Sequence, residues 1–177
     1  STGGPKVLYD VITKIPENIG IPIFVVQHMP AGFTKAFAKR LDNNSSLKVV
    51  EAKNKDLIKP GTVYIAPGGY HMMVSSKNII LDTSPPSHGI RPAVDKLFTS
   101  VAEVYEAKSL CCVFTGMGRD GAEGVKAIKA KGGYVIAQDE ATSSIYGMPK
   151  VAYETGCVDM VIPDYKISNE IIRLIKN

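Results

Sequence analysis

The stretch from residue 110 to residue 130 constrains this chain more than any other. Residues 110–114 form an apolar run short enough to be a buried strand. The glycine-rich turn Thr115-Gly116-Met117-Gly118-Arg119-Asp120-Gly121 follows directly. A helical pattern then begins, with Val125 and Ile128 three residues apart. In an open α/β sheet a strand-to-helix turn of this kind lies at the carboxyl edge, where ligands bind. It has two readings. Gly116-x-Gly118-x-x-Gly121 has the spacing of a dinucleotide fingerprint, and Asp139 lies about 20 residues further on, where a ribose-binding acid would be. Alternatively, Asp120 is the point of the loop and belongs to a catalytic triad.

The rest of the chain repeats the strand–turn–helix theme. Pro5 suits the first turn of a helix whose apolar face is Val7, Leu8, Val11, Ile12 and Ile15. Residues 21–26 read as a strand ending at Gln27-His28-Met29-Pro30, with a helix at about 32–41 striped by Phe33, Phe37 and Leu41. Strands follow at 47–50 and 62–66. Segments 71–75 and 78–82 are too close together for a helical crossover and form a hairpin across Ser76-Lys77. Arg91-Pro92 starts a helix carrying Val94, Leu97, Phe98, Val101 and Val104. A strand at 134–138, a helix from about Met148 through Tyr153, a strand at 159–162 and an amphipathic helix at 167–175 complete the series. The expected fold is α/β: a three-layer, doubly wound, mostly parallel sheet with an antiparallel hairpin annex. Right-handed crossovers bring the strand carboxyl ends to one edge.

Composition narrows the function classes. A chain of 177 residues suits one domain with a sizeable core. The net charge of +4 is mild and scattered, without aromatic residues interleaved among the basic ones, which argues against nucleic acid as a partner. The three cysteines, Cys111, Cys112 and Cys157, fit neither a disulfide framework nor a zinc pattern, so a reducing, cytoplasmic compartment is expected. No apolar run approaches the roughly 18–20 residues of a membrane span, so no membrane insertion is expected.

Three residues with complementary chemistry fall at the expected ligand edge: Ser1 before a helix, His28 past a strand, and Asp120 past another. A histidine can remove the proton of an attacking serine. A carboxylate fixes the histidine tautomer and stabilises the imidazolium. Each also has a bland reading: Ser1 as a helix cap, His28 as an ordinary strand-end histidine, Asp120 as the N-cap of the helix it precedes. His71 reads as structural and His88 as a solvated loop residue. Histidines this scattered, with no His-x-x-x-His pair, do not make a metal site. Asp82, Asp95 and Arg91 read as surface groups, and Met72, Met73 and Met148 as core or pocket wall. A carboxylate at Asp120 counts against the dinucleotide reading, because it would compete with pyrophosphate for the helix amides.

Six ordered motifs carry a family likeness. They are Ser1-Thr2-Gly3-Gly4-Pro5, Gln27-His28-Met29-Pro30, Ala66-Pro67-Gly68-Gly69-Tyr70-His71-Met72, Arg91-Pro92-Ala93-Val94-Asp95, Thr115-Gly116-Met117-Gly118-Arg119-Asp120-Gly121 and Ala137-Gln138-Asp139-Glu140. Together they resemble the catalytic domain of the CheB family, the chemotaxis protein-glutamate methylesterases. The resemblance implies that Ser1 is the nucleophile, His28 the general base and acid, and Asp120 the residue orienting His28. It implies an oxyanion site from amides near Ser1, including Thr2, together with Met117. The implied reaction is hydrolysis of glutamate γ-methyl esters on the cytoplasmic helices of methyl-accepting chemotaxis receptors, releasing methanol, with no cofactor or metal; some members also deamidate receptor glutamine. It further implies a strand before the serine and an N-terminal receiver domain that restrains catalysis until phosphorylated. Neither is in the sequence shown, so residues 1–177 are expected to be the catalytic domain of a longer protein, active without phosphorylation. A serine that was truly N-terminal could instead use its own amine as base, leaving His28 and Asp120 without a role. A nucleotide-binding module and a non-catalytic receptor-docking domain are the other readings of the chain.

Overall fold

The computed structural model describes residues 3–176. The elements run α1 (Gly4–Ile12), β1 (Ile23–Val25), α2 (Phe33–Asn44), β2 (Lys48–Glu51), β3 (Thr62–Ile65), β4 (His71–Val74), β5 (Ile79–Asp82), α3 (Val94–Tyr105), β6 (Leu110–Val113), α4 (Ala122–Ala130), β7 (Tyr134–Gln138), α5 (Met148–Glu154), β8 (Met160–Ile162) and α6 (Asp164–Lys176). Short 3-10 turns follow α1 and α3. The main differences from expectation lie at helix starts. α3 begins two residues after Pro92, whose peptide bond is cis, and α6 begins at Asp164 rather than at residue 167. Phe33, expected in the buried stripe of α2, is 62% exposed. The stripe is carried by Thr34, Phe37, Ala38 and Leu41.

The strands alternate between two apolar layers, as a pleat with a period of two requires. Val25, Val49, Val63 and Ile65 turn to one face, where α1, α2 and α6 cover them. Phe24, Val26, Val50, Tyr64 and Ala66 turn to the other, against α3 and the β4–β5 hairpin. In the second half of the chain Cys111, Val113 and Val135 pack under α3, α4 and α5, while Cys112 and Phe114 point to the α1 and α6 side. Val63, Ile65 and Val135 are fully buried, each contributing about 1.5–3 kcal/mol relative to exposure. The result is the expected three-layer α/β fold.

Hydrogen bonding divides the parallel sheet into β1-β3-β2 and β6-β7-β8, with β4-β5 as a separate antiparallel pair. A cavity of about 340 Å³ lies between β1 and β6. Phe24, Val26, Cys112 and Phe114 line it, with Ile12 of α1 and Leu97 of α3 above and below. Among the described residues, β1 pairs only with β3, and β6 only with β7. Within each group all pairs are parallel, and the contact between the segments that follow β1 and β6 brings the exits of both groups to one edge.

Candidate active site

Four segments meet at that edge. The loop after β1 carries His28 and returns through Pro30 and Ala31 into α2. It is seated on Gly68, just past β3, where a side chain would collide with the Pro30–Ala31 backbone. Thr34, fully buried at the start of α2, accepts the Gly68 amide at 3.0 Å and donates to Glu51 at 2.6 Å. The turn after β6 is pinned from the side of β7. The buried Gln138 accepts the Thr115 amide at 2.8 Å and donates to the Thr142 carbonyl at 2.9 Å. The Gly116 amide donates to the Ile145 carbonyl, and the Met148 amide donates to that of Gly116.

These two loops bring together residues 92 positions apart. His28 Nε2 lies 2.8 Å from Asp120 Oδ2. The aspartate side chain is 2% exposed and the imidazole 15%, so the carboxylate is the sheltered partner. A buried carboxylate is tolerated only when its oxygens are hydrogen-bonded. Oδ2 also accepts the Val94 amide at 2.6 Å, and Oδ1 accepts the Asp95 amide at 3.0 Å. Burial, the largest single influence, pushes the Asp120 pKa up. The hydrogen bonds from His28 and from the amides of Asp95 and Val94, with the attraction of His28, together outweigh it. The carboxyl is held below the usual aspartate range. An ionised Asp120 can only accept, so it calls for the proton on Nε2 and makes Nδ1 the basic nitrogen of His28.

Asp120 does cap a helix, but not the one it precedes. Val94 and Asp95 are the first residues of α3, whose N-cap Ala93 offers no side-chain hydrogen bond. The amides of Gly121 and Gly124, at the start of α4, donate instead to Asp95 Oδ1 at 2.9 and 2.8 Å. That geometry disposes of the dinucleotide reading, because the amides that would cradle a phosphate already hold a carboxylate. Asp139 is no ribose ligand in waiting either: its Oδ1 accepts the Thr142 amide and hydroxyl at 3.1 and 2.6 Å.

Of the other sequence candidates, Met117 sits on the turn and is 72% exposed. Ser1 and Thr2 lie outside the described residues. Gly3, the N-cap of α1, has a φ of +78°, and a side chain there would meet Ser144 and Thr115. One at Gly4 would run into the Gln27 amide. The chain just after Ser1 and Thr2 is thus pressed between the His28 loop and the Thr115 turn. His71 is structural as expected, fully buried with Nε2 at 3.0 Å from the Pro85 carbonyl. Two surface readings fail. Arg91 donates from Nη1 to the Thr83 and Ser84 carbonyls and braces its own loop. Asp95 is only 12% exposed at its side chain, and its Oδ2 lies 2.9 Å from His88 Nε2. An acid in the first turn of a helix was the one local sign of a capping role, and it did not say which helix. Oxygens of Asp95 and Asp120 and a ring nitrogen of His88 all lie within 4.8 Å of one another. Each of those oxygens already faces an N–H, so a cation there would have to displace amide or imidazole donors. The Cys111 thiol is pushed well above its usual pKa by burial and offers no nucleophile.

Residues 1–171 match the CheB methylesterase family. The chain belongs to the CheB methylesterase family. A protein-glutamate methylesterase/protein-glutamine glutaminase of Clostridium acetobutylicum is 52% identical over 177 residues, covering 99% of this chain and 51% of its own length. Proteins of the same description from Pyrococcus abyssi and Thermotoga maritima are 48% and 46% identical, again over 99% of this chain and over 49% and 52% of theirs. The chain therefore spans about half the length of the curated relatives it matches. The crystal structure of the Thermotoga maritima CheB methylesterase catalytic domain superposes with a TM-score of 0.96 at 45% identity, covering 98% of this chain and 94% of that one.

Proposed function

We propose that the chain is a serine esterase that hydrolyses glutamate γ-methyl esters on the cytoplasmic helices of chemotaxis receptors. The observation that carries this reading is the buried, ionised Asp120 hydrogen-bonded to His28 at the strand-exit edge. In this mechanism Ser1 Oγ attacks the ester carbonyl carbon while His28 Nδ1 takes its proton. Asp120 stabilises the resulting imidazolium through Nε2–H. Amides near Ser1, that of Thr2 among them, and that of Met117 stabilise the oxyanion. As the tetrahedral intermediate collapses, the proton passes to the leaving methoxide, which departs as methanol. Water, deprotonated by His28, then releases the glutamate carboxylate and restores Ser1. The same steps with ammonia as leaving group would deamidate glutamine, the second activity in the relatives' name. Support for Ser1 is its distance along the chain: two residues reach about 7 Å from Gly3, which lies against Thr115 and beside the His28 loop. Ser1→Ala and His28→Ala are each expected to abolish methanol release from methylated receptor membranes. Full activity in the His28 variant would sink the triad.

We read residues 1–177 as the catalytic domain of a longer cytoplasmic enzyme regulated by its own receiver domain. The cavity between β1 and β6 supports seating there the strand that the family likeness puts ahead of Ser1. It offers strand edges on two sides and apolar side chains above and below. Extending the chain there by a strand of apolar residues is expected to raise Tm by several degrees, since filling a cavity of this size contributes several kcal/mol. An unchanged Tm would refute the placement.

A further inference from the structure

Asp120 and Asp95, which lie close together, form a closed arrangement that the triad alone does not require. Asp120, in the turn leading into α4, accepts both leading amides of α3. Asp95, the second residue of α3, reaches back and accepts the Gly121 and Gly124 amides of α4. Neither helix is capped by a side chain at its own N-cap, since those positions are Ala93 and Gly121. Each helix therefore depends on the acid of the other. Four hydrogen bonds of 2.6–3.0 Å, each from a backbone amide to a carboxylate oxygen, join the two helix starts in a ring. Two carboxylates sit close together in this ring, and the N-terminal ends of two helices offset their repulsion.

We infer that Asp95 is a positioning residue for catalysis, acting on Asp120 through α4 rather than on substrate. This rests on the triad reading above. Asp95 Oδ1 ties down the Gly121 amide, and Gly121 is the neighbour of Asp120 in the chain. The Asp95 backbone simultaneously donates to Asp120 Oδ1. Gly121 itself is in a left-handed conformation, φ +106°, which side-chain-bearing residues rarely adopt. Asp120 is thus held from both flanks, and its Oδ2 is aimed at His28. Without the Asp95 carboxylate the start of α4 loses its acceptor, and the turn carrying Asp120 is free to shift. A displacement of about 1 Å can cost about a hundredfold in rate.

The test compares Asp95→Ala with Asp95→Asn. Alanine removes the acceptor; asparagine keeps one oxygen able to serve both α4 amides. Asp95→Ala is expected to lower kcat by about 10- to 100-fold with KM nearly unchanged, and Asp95→Asn to recover at least about tenfold of a hundredfold loss. Proton NMR supplies a readout independent of activity. The downfield resonance of the His28 Nε2–H bonded to Asp120 should persist in Asp95→Asn and shift or broaden in Asp95→Ala. If the unmutated protein released no methanol, the triad reading would fail while the resonance still tested the ring. An Asp95→Ala protein with unchanged kcat and unchanged resonance would overturn the inference, as would an asparagine variant as impaired as the alanine one. Should Asp95→Ala not fold, trans-hydrogen-bond coupling in the unmutated protein decides. Coupling between the Gly124 amide nitrogen and the Asp95 carboxyl carbon supports the ring, and its absence overturns it.

Discussion

Replacing Asp120 by asparagine is expected to lower kcat for methyl-ester hydrolysis by about four orders of magnitude. The asparagine amide has one acceptor and one NH₂ where the carboxylate has two acceptors, and both orientations are poor. With its oxygen toward His28 and Val94, the NH₂ confronts the Asp95 amide. Turned over, the NH₂ confronts the Val94 amide and drives the proton from Nε2 to Nδ1, the nitrogen needed as base. Either way the negative charge that stabilises the imidazolium is gone. Leaving a buried donor unpaired costs about 1–3 kcal/mol, so the variant should also melt several degrees lower at neutral pH. That stability gap carries a pH signature. The folded-state pKa of Asp120 is depressed, so its contribution is complete above the unfolded-state value of about 3.9 and is lost as pH falls through the folded value. The Tm difference between unmutated protein and variant should therefore shrink in acid. Retention of kcat within tenfold would remove Asp120 from the mechanism, and a gap that widened in acid would contradict the ionised, hydrogen-bonded state.

Gly68→Ala is the second large effect, and it acts at a distance from the chemistry. A methyl there would lie 2.5 Å from the Ala31 nitrogen, 2.6 Å from the Pro30 carbonyl carbon and 2.8 Å from the Ala31 Cα. All three are backbone atoms, so no rotamer change relieves the contact; the loop after His28 must move. Overpacking of this kind costs about 1–3 kcal/mol or more, and a shifted His28 loop should cost about a hundredfold in kcat. Gly69→Ala is the matched comparison. Its φ of +90° disfavours a side chain, but no atom lies within 4 Å of the added methyl, so the cost is limited to about 1–2 kcal/mol of backbone strain. Equal effects of the two substitutions on kcat would show that contact with the Pro30–Ala31 backbone is not what matters.

What the sequence determined by itself is the layering and much of the candidate site. The alternation of Phe24 with Val25, of Tyr64 with Ile65 and of Cys112 with Val113 encodes burial on two faces, because a strand presents its side chains to opposite sides. The apolar spacing of Val7, Leu8, Val11 and Ile12 encodes one helical face for the same kind of reason. Strand–turn–helix order put His28 and Asp120 at one edge. Tertiary structure alone decided which partners the polar groups there would take. Periodicity reports only whether a side chain faces inward. It does not say that Asp120 bonds amides 25 and 26 positions upstream, or that Asp95 reaches amides 26 and 29 positions downstream. Phe33 departs from its spacing for a related reason: it matches the stripe of α2, but as the first residue of the helix it stays exposed. The turn from Thr115 to Gly121 is legible as a functional edge from its glycines. Its chemistry became definite only when the fold joined two helix starts through the carboxylates of Asp120 and Asp95.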